Sequence, residues 1–196
     1  MGHILATVNM KGGVGKTTLT VNLATCLARD YQQRVLVVDL DSQISATLSL
    51  LAPQEFARLR RGRRTLSYLI DKVIRPYITR KYETLDMVVE SVCSIPGLDL
   101  LPGDIELYDD YVVSEALHKK AIEATPNKFS EVWDTFEQVL VKTVLDSVRD
   151  RYDFILIDCS PGYNLLTRSA LVASHYYLLP ARPEPLSLVG IQLLQR

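Results

Sequence analysis

Three cysteines, Cys26, Cys93 and Cys159, with no CxxC spacing give neither a disulfide framework nor a zinc or iron–sulfur ligand set within one chain. A reducing cytoplasm fits that usage best. Histidine is equally sparse, and His3, His118 and His175 show no metal-ligand spacing, so they read as surface or packing residues. No stretch reaches the roughly 18 consecutive apolar residues of a membrane helix, and the segment HILATVN enters a strand with no signal-peptide profile before it. Secretion and membrane spanning are therefore disfavoured. Neither sign of charge dominates: 22 Lys+Arg face 23 Asp+Glu, which removes bulk attraction to nucleic acid or anionic lipid and leaves local clusters to inspect. Internal repeats, low-complexity tracts and interdomain linkers are missing too. What remains is a chain of 196 residues, 47% hydrophobic and 23% charged, which reads as one globular domain over 1–196.

Short apolar, β-branched runs mark the strands: Ile4 to Val8, Val35 to Val38, Leu98 to Leu101 closed by Pro102-Gly103, Phe154 to Ile157, and Tyr176 to Leu179 closed by Pro180. Between the first two, Leu19, Leu23, Cys26 and Leu27 form a stripe at the 3.6 period, predicting a helix whose leucine face packs on a sheet. Strand, helix and wholly apolar strand make a βαβ unit. Val132, Phe136, Leu140, Val144 and Val148 predict a long helix before the fourth strand. Residues 52–95 and 105–128 read as mainly helical, broken at Pro53, Pro76 and Pro126. The fold class is α/β: a doubly wound, mainly parallel sheet with helices on both faces. Trp133 and Tyr176-Tyr177 read as core or interface groups.

Between the first strand and its helix lies Lys11-Gly12-Gly13-Val14-Gly15-Lys16-Thr17, which meets the phosphate-loop pattern GxxxxGK[ST] once its first glycine is relaxed to Met10. Glycines let backbone N–H groups converge on oxygens, and the following helix offers its positive end. Lys16 would neutralise β- and γ-phosphate charge, and the Thr17 hydroxyl would coordinate Mg²⁺. Asp39 and Asp41 follow an apolar strand at its carboxyl end, where open α/β sheets bind ligands. Asp158 ends the run Phe154 to Ile157, and a carboxylate there is unfavourable unless paired or linked to a metal. Cys159 beside it reads as an inert packed thiol. A guanine-specifying [NT]KxD motif is missing, because Asn127-Lys128-Phe129-Ser130 lacks the acid, so adenine is favoured.

The loop, with its extra lysine at the head, resembles the ParA/MinD family of P-loop ATPases. Asp39-Leu40-Asp41-Ser42-Gln43 resembles the family's second motif, and Ile155 to Pro161 its Walker B strand end, with Ser160-Pro161 where two prolines are usual. Pro183-Glu184-Pro185-Leu186-Ser187-Leu188 with Gly190 is similar to a further segment near the nucleotide. The match runs in order from residue 3 to 194 and is weak at 52–95 and 118–135.

The resemblance implies a P-loop NTPase fold that takes ATP and Mg²⁺, the latter held by Thr17, Asp39 and Asp158. The nucleotide-binding residues would be Lys11, Gly12, Gly13, Val14, Gly15, Lys16, Thr17 and Thr18. Lys11, Lys16 and Asp41 would be catalytic, Lys11 reaching across a homodimer that sandwiches two ATP molecules and Asp41 positioning the attacking water. It further implies a positioning ATPase whose ATP-bound dimer binds DNA non-specifically. A partner or adaptor protein would stimulate hydrolysis and so distribute plasmid, chromosome or organelle cargo. No membrane partner is expected, and the location would be cytoplasmic and nucleoid-associated. Alternatives are a MinD-like membrane-cycling division-site regulator and a nucleotide-switched protein scaffold. Family members continue past the equivalent of Arg196, so the chain is expected to be a fragment truncated in its C-terminal part. Arg58, Arg60, Arg61, Arg63 and Arg64 crowd five guanidinium groups into seven residues. That run is either a footprint for DNA phosphates or a solvated charged face.

Overall fold

The computed structural model describes residues 2–74, 83–107, 122, 129–183 and 192. Most of the segment 105–128, Pro76, His118 and the family-like stretch from Glu184 to Gly190 lie outside them. Five parallel strands form one sheet in the order β3-β2-β4-β1-β5. They are β1 (His3–Thr7), β2 (Val35–Leu40), β3 (Leu98–Leu101), β4 (Phe154–Cys159) and β5 (Tyr176–Leu178). After α1 (Lys16–Tyr31), β2 does not return beside β1, because β4 later fills the place between them. The chain therefore reverses its winding at the carboxyl end of β1, which opens a crevice there.

Period-two alternation sends each strand into two cores. Val35, Val37, Leu98, Leu100 and Leu156 meet Ala24 and Ala28 of α1, with α2 (Ser45–Leu50) and α3 (Pro53–Arg61) on the same side. Ile4, Ala6, Leu36, Val38, Ile155 and Ile157 face the other way. There they meet α4 (Leu66–Ile74), α6 (Phe129–Asp146) and α7 (Leu165–Ala173). A short α5 (Thr84–Met87) precedes β3. Phe136, Leu140, Val144 and Val148 are all buried, as the four-residue spacing predicts.

The leucine stripe of α1 needs correction. The residues buried against the sheet are Lys16, Thr20, Ala24 and Ala28, while Leu19 is 38% exposed and Leu23, Cys26 and Leu27 are half-buried. Small side chains at closest approach let the helix sit low over the strands, and the leucines flank that contact. Pro53 opens α3 at its first turn, where a missing N–H breaks no helical bond.

Candidate functional site

Alternation along the strands also decides what reaches the crevice. Thr7, Asp39 and Asp158 share the parity of the residues that face α1 and stand side by side in register, Asp158 opposite Thr7 on one flank and opposite Asp39 on the other. Three adjacent strands thus end in polar groups beneath the start of α1.

The loop above them is held from its base. Asn9, 4% exposed, accepts the Lys11 N–H at 2.8 Å and donates to the Pro180 carbonyl at 2.9 Å. Gly13 and Gly15 take left-handed backbone angles, φ 72° and 95°, and a Cβ at either would meet nothing within 4 Å. Both positions border open space and take backbone angles that glycine alone adopts freely. No side chain caps α1 and its first turn holds no acid, so its leading N–H groups are left to a ligand.

Lys16 lies in that first turn, 6% exposed, its Nζ donating to the Lys11 carbonyl at 3.1 Å. Burial pushes its pKa below the usual lysine value, while the charges of Asp158 and Asp41 pull it back. A buried ammonium at the positive end of a helix is unfavourable alone. An anion rich in oxygens supplies what both the ammonium and the free N–H groups need.

The metal side rests on Thr17 and Asp158. The Thr17 hydroxyl donates to Asp158 Oδ2 at 2.7 Å, and Asp158 is fully buried. Burial pushes its pKa up to about 7, opposed by the Thr17 hydrogen bond and reinforced by Asp39 and Asp41. The Thr20 hydroxyl lies 2.8 Å from Thr7 Oγ1, 3.0 Å from the Lys16 carbonyl and 3.4 Å from Asp158 Oδ1, yet it has one proton to donate. A hydroxyl and a carboxylate side by side at the loop's edge suit a hard cation that also takes phosphate and water oxygens. Among the described residues no cluster of three His, Cys, Asp or Glu could hold a metal by itself.

Asp39 is engaged differently. Its Oδ2 accepts both the N–H and the hydroxyl of Thr47 at 2.7 Å, and its Oδ1 accepts the Asp41 N–H at 3.2 Å. Burial still pushes it up to about 6. Thr47 in turn accepts the Gly103 N–H at 3.0 Å, and a Cβ at Gly103 would stand 2.8 Å from the Asp39 carbonyl oxygen. Asp39 therefore braces the turn that presents Asp41. Asp41, 8% exposed, accepts the Gln43 N–H on Oδ1 at 3.0 Å.

The arginine run does not form one patch. Arg60 turns inward to Asp104 at 3.2 Å and Glu106 at 2.9 Å, and Arg64 donates twice to the Asp86 carbonyl, at 3.0 and 2.6 Å. Arg58 lies 3.7 Å from Glu55. Arg61 and Arg63 are exposed, and Arg63 takes a left-handed φ of 54° just past α3. Arg58, Arg60 and Arg61 sit on α3 and Arg63 and Arg64 just past it; with Arg60 and Arg64 engaged by their neighbours, the candidate phosphate contacts are Arg58, Arg61 and Arg63.

Sequence reasoning missed Asn9, Thr7, Thr20, Thr47 and Arg182. Only Thr20 carries a local signal, standing one helical turn after Lys16 on the sheet-facing side of α1. Asn9 bonds locally to the Lys11 N–H, but its Pro180 contact and the partners of the others come only through the fold.

A parallel sheet, a glycine loop wrapped toward a buried lysine, and a helix starting uncapped over a strand-end carboxylate define a P-loop NTPase fold. A family model described as "AAA domain" matches residues 2–196. The chain is 32% identical over 194 residues to the sporulation initiation inhibitor protein Soj of Bacillus subtilis, covering 99% of this chain and 64% of that protein. The structure superposes on a plasmid partition protein from Borrelia burgdorferi with TM-score 0.71 at 22% identity, covering 100% of this chain and 72% of the other. It also superposes on cobyrinic acid a,c-diamide synthase from Mycobacterium smegmatis, solved with ADP and magnesium. There the TM-score is 0.67 and the identity 26%, over 100% of this chain and 66% of that one. The chain belongs to this AAA-domain family, within the ParA/MinD type of P-loop proteins. It spans a little under two thirds of the length of Soj.

Proposed function

We propose that this chain hydrolyses ATP with Mg²⁺ as a positioning ATPase, cycling between an ATP-bound dimer that holds DNA non-specifically and a released state reached when a partner protein stimulates hydrolysis. The observation that carries the reading is the Lys16 ammonium buried at the uncapped start of α1, beside the Thr17–Asp158 pair. Lys16 and the loop amides from Gly12 to Thr18 bind the β- and γ-phosphates. Thr17 and Asp158 hold Mg²⁺, which neutralises charge on the transferring phosphoryl oxygens. Asp39 stays on Thr47 and keeps the Asp41 turn in place, and Asp41 orients the attacking water. Lys11 brings a second cation to the γ-phosphate from the partner subunit, the electrostatic service of an arginine finger. Arg58, Arg61 and Arg63 supply DNA phosphate contacts. Among the described residues no helix is long and apolar enough to cross a membrane.

Anisotropy of a labelled DNA duplex, read with ATP, ADP or no nucleotide while dimerisation is followed by light scattering, tests the cycle. Binding should require ATP and weaken steeply with salt. Asp41→Ala should bind ATP, stay dimeric and remain on DNA; intact hydrolysis in that variant would refute the water-positioning role. Dimerisation with ATP but without DNA binding would shift the reading to a membrane-cycling regulator or a protein scaffold.

A further inference from the structure

One exposed cation reaches the phosphate loop from outside. Arg182 Nη2 donates to the Gly13 carbonyl at 2.9 Å, across 169 residues of sequence. Among the described residues, it is one of three bonds that clasp the loop and its base to the end of β5 and the segment after it. The others run from the Val8 N–H to the Leu178 carbonyl and from Asn9 Nδ2 to the Pro180 carbonyl, each at 2.9 Å. Among the described residues, Val8 and Asn9 hold the base of the loop and Arg182 holds its tip.

The tip is where such a hold matters. Gly12 and Gly13 are exposed and Gly13 has no side chain, so its side of the peptide between Gly13 and Val14 has no side-chain anchor. A glycine at φ 72° can turn that peptide over with little steric resistance. In a trans peptide the C=O and the N–H point in opposite directions. Holding the Gly13 oxygen outward therefore holds the Val14 N–H on the opposite, inner side of the loop. The guanidinium charge also polarises the peptide and makes its N–H a stronger donor.

We propose that Arg182 is a positioning residue for nucleotide binding: by holding the Gly13 carbonyl it fixes the Gly13–Val14 peptide with its N–H toward the bound phosphates, and it makes loop order depend on the segment that follows β5. This rests on the reading of the loop as an ATP site. Arg182 acts through the loop backbone and needs no contact with the nucleotide.

Calorimetric titration of the 196-residue chain with ADP and with ATP, each with Mg²⁺, compares wild type with Arg182→Ala and Arg182→Lys. Arg182→Ala should weaken both nucleotides by the same factor, about tenfold. The loss should persist at high salt, because the broken bond is to a carbonyl rather than a phosphate. Arg182→Lys should recover most of it, and the melting temperature without nucleotide should stay within about 2 °C of wild type, since the residue is exposed. Equal affinity of wild type and Arg182→Ala overturns the proposal. So does a loss that is larger for ATP than for ADP and fades with salt, which marks direct contact between the guanidinium and phosphate. A wild-type chain that binds neither nucleotide refutes the ATP-site reading itself, and this inference falls with it.

Discussion

Strand β4 has an aspartate at each end, and the two are in opposite circumstances. Asp153, just before its amino end, receives Arg34 through Nη2 at 2.7 Å, Nε at 3.2 Å and the backbone N–H at 2.9 Å, and these bonds hold its pKa down at about 2. Asp158, near the carboxyl end, is fully buried, receives one hydroxyl at hydrogen-bond distance below 3 Å, and is pushed up to about 7. Tyr152 beside Asp153 likewise finds Asp99 at 2.8 Å. At one edge of the sheet the charges satisfy each other. At the other edge Lys16, Asp41 and Asp158 are gathered with their electrostatic needs unmet, the state expected of a site whose counter-charges arrive with a ligand.

Breaking the contrast at its strongest point means removing the buried cation. Lys16→Ala should weaken Mg-ATP binding by about 100-fold or more, read by calorimetry, since a charge-assisted contact to phosphate is lost inside a dry site. The ligand-free melting temperature should not fall, because a desolvated ammonium has been removed. Next in size, Asp158→Asn should lower Mg-dependent hydrolysis by about 100-fold. It should also raise the stability of the ligand-free chain. Asp153→Asn should do the reverse, leaving hydrolysis unchanged and lowering stability by roughly 0.5–1 kcal/mol in urea unfolding, the range of an exposed ion pair.

Proton linkage sharpens the same comparison. Asp39 and Asp158 titrate at about 6 and about 7 in the folded chain against an ordinary 3.8. Between about pH 4 and 7 the folded state therefore holds protons that the unfolded chain has released, and ligand-free stability should fall as pH rises through that window. Asp153, lowered to about 2, contributes stability above its ordinary 3.8 that is lost as pH falls toward 2. Ligand-free stability measured by urea unfolding should peak at about pH 3.5, where the two trends cross. The smallest expected effect lies away from both edges. Past α3 the Arg64 N–H bonds the Leu59 carbonyl and the Arg63 N–H bonds the Arg60 carbonyl, which puts Arg63 at the left-handed position that favours glycine. Arg63→Gly should stabilise the fold by about 0.5–1 kcal/mol in the same assay.

Much of this was legible in the sequence because its signals are local. Buried parallel strands announce themselves as apolar runs, and the glycine loop sits between a strand and a helix, so the five strands, the loop and Asp158 are where the pattern puts them. One reading failed because tertiary geometry outweighs periodicity. The leucines of α1 follow the right period, yet alanines and Thr20 take the closest approach to the sheet. The five clustered arginines, open in sequence between a phosphate footprint and a solvated face, divide once Arg60 turns onto Asp104. The braces Asn9, Thr47 and Arg182 had no readable signature, since their long-range partners Pro180, Asp39 and Gly13 lie in other elements and a lone threonine or asparagine is common anywhere.

Equilibrium urea unfolding at pH 7.5, with and without saturating Mg-ATP, tests most directly whether the carboxyl edge of the sheet is completed by this ligand. Mg-ATP should move the wild-type midpoint to higher urea, by the linkage of binding to folding, and should move the Lys16→Ala midpoint much less. A wild-type midpoint indifferent to Mg-ATP would contradict the assignment of that edge as an ATP site.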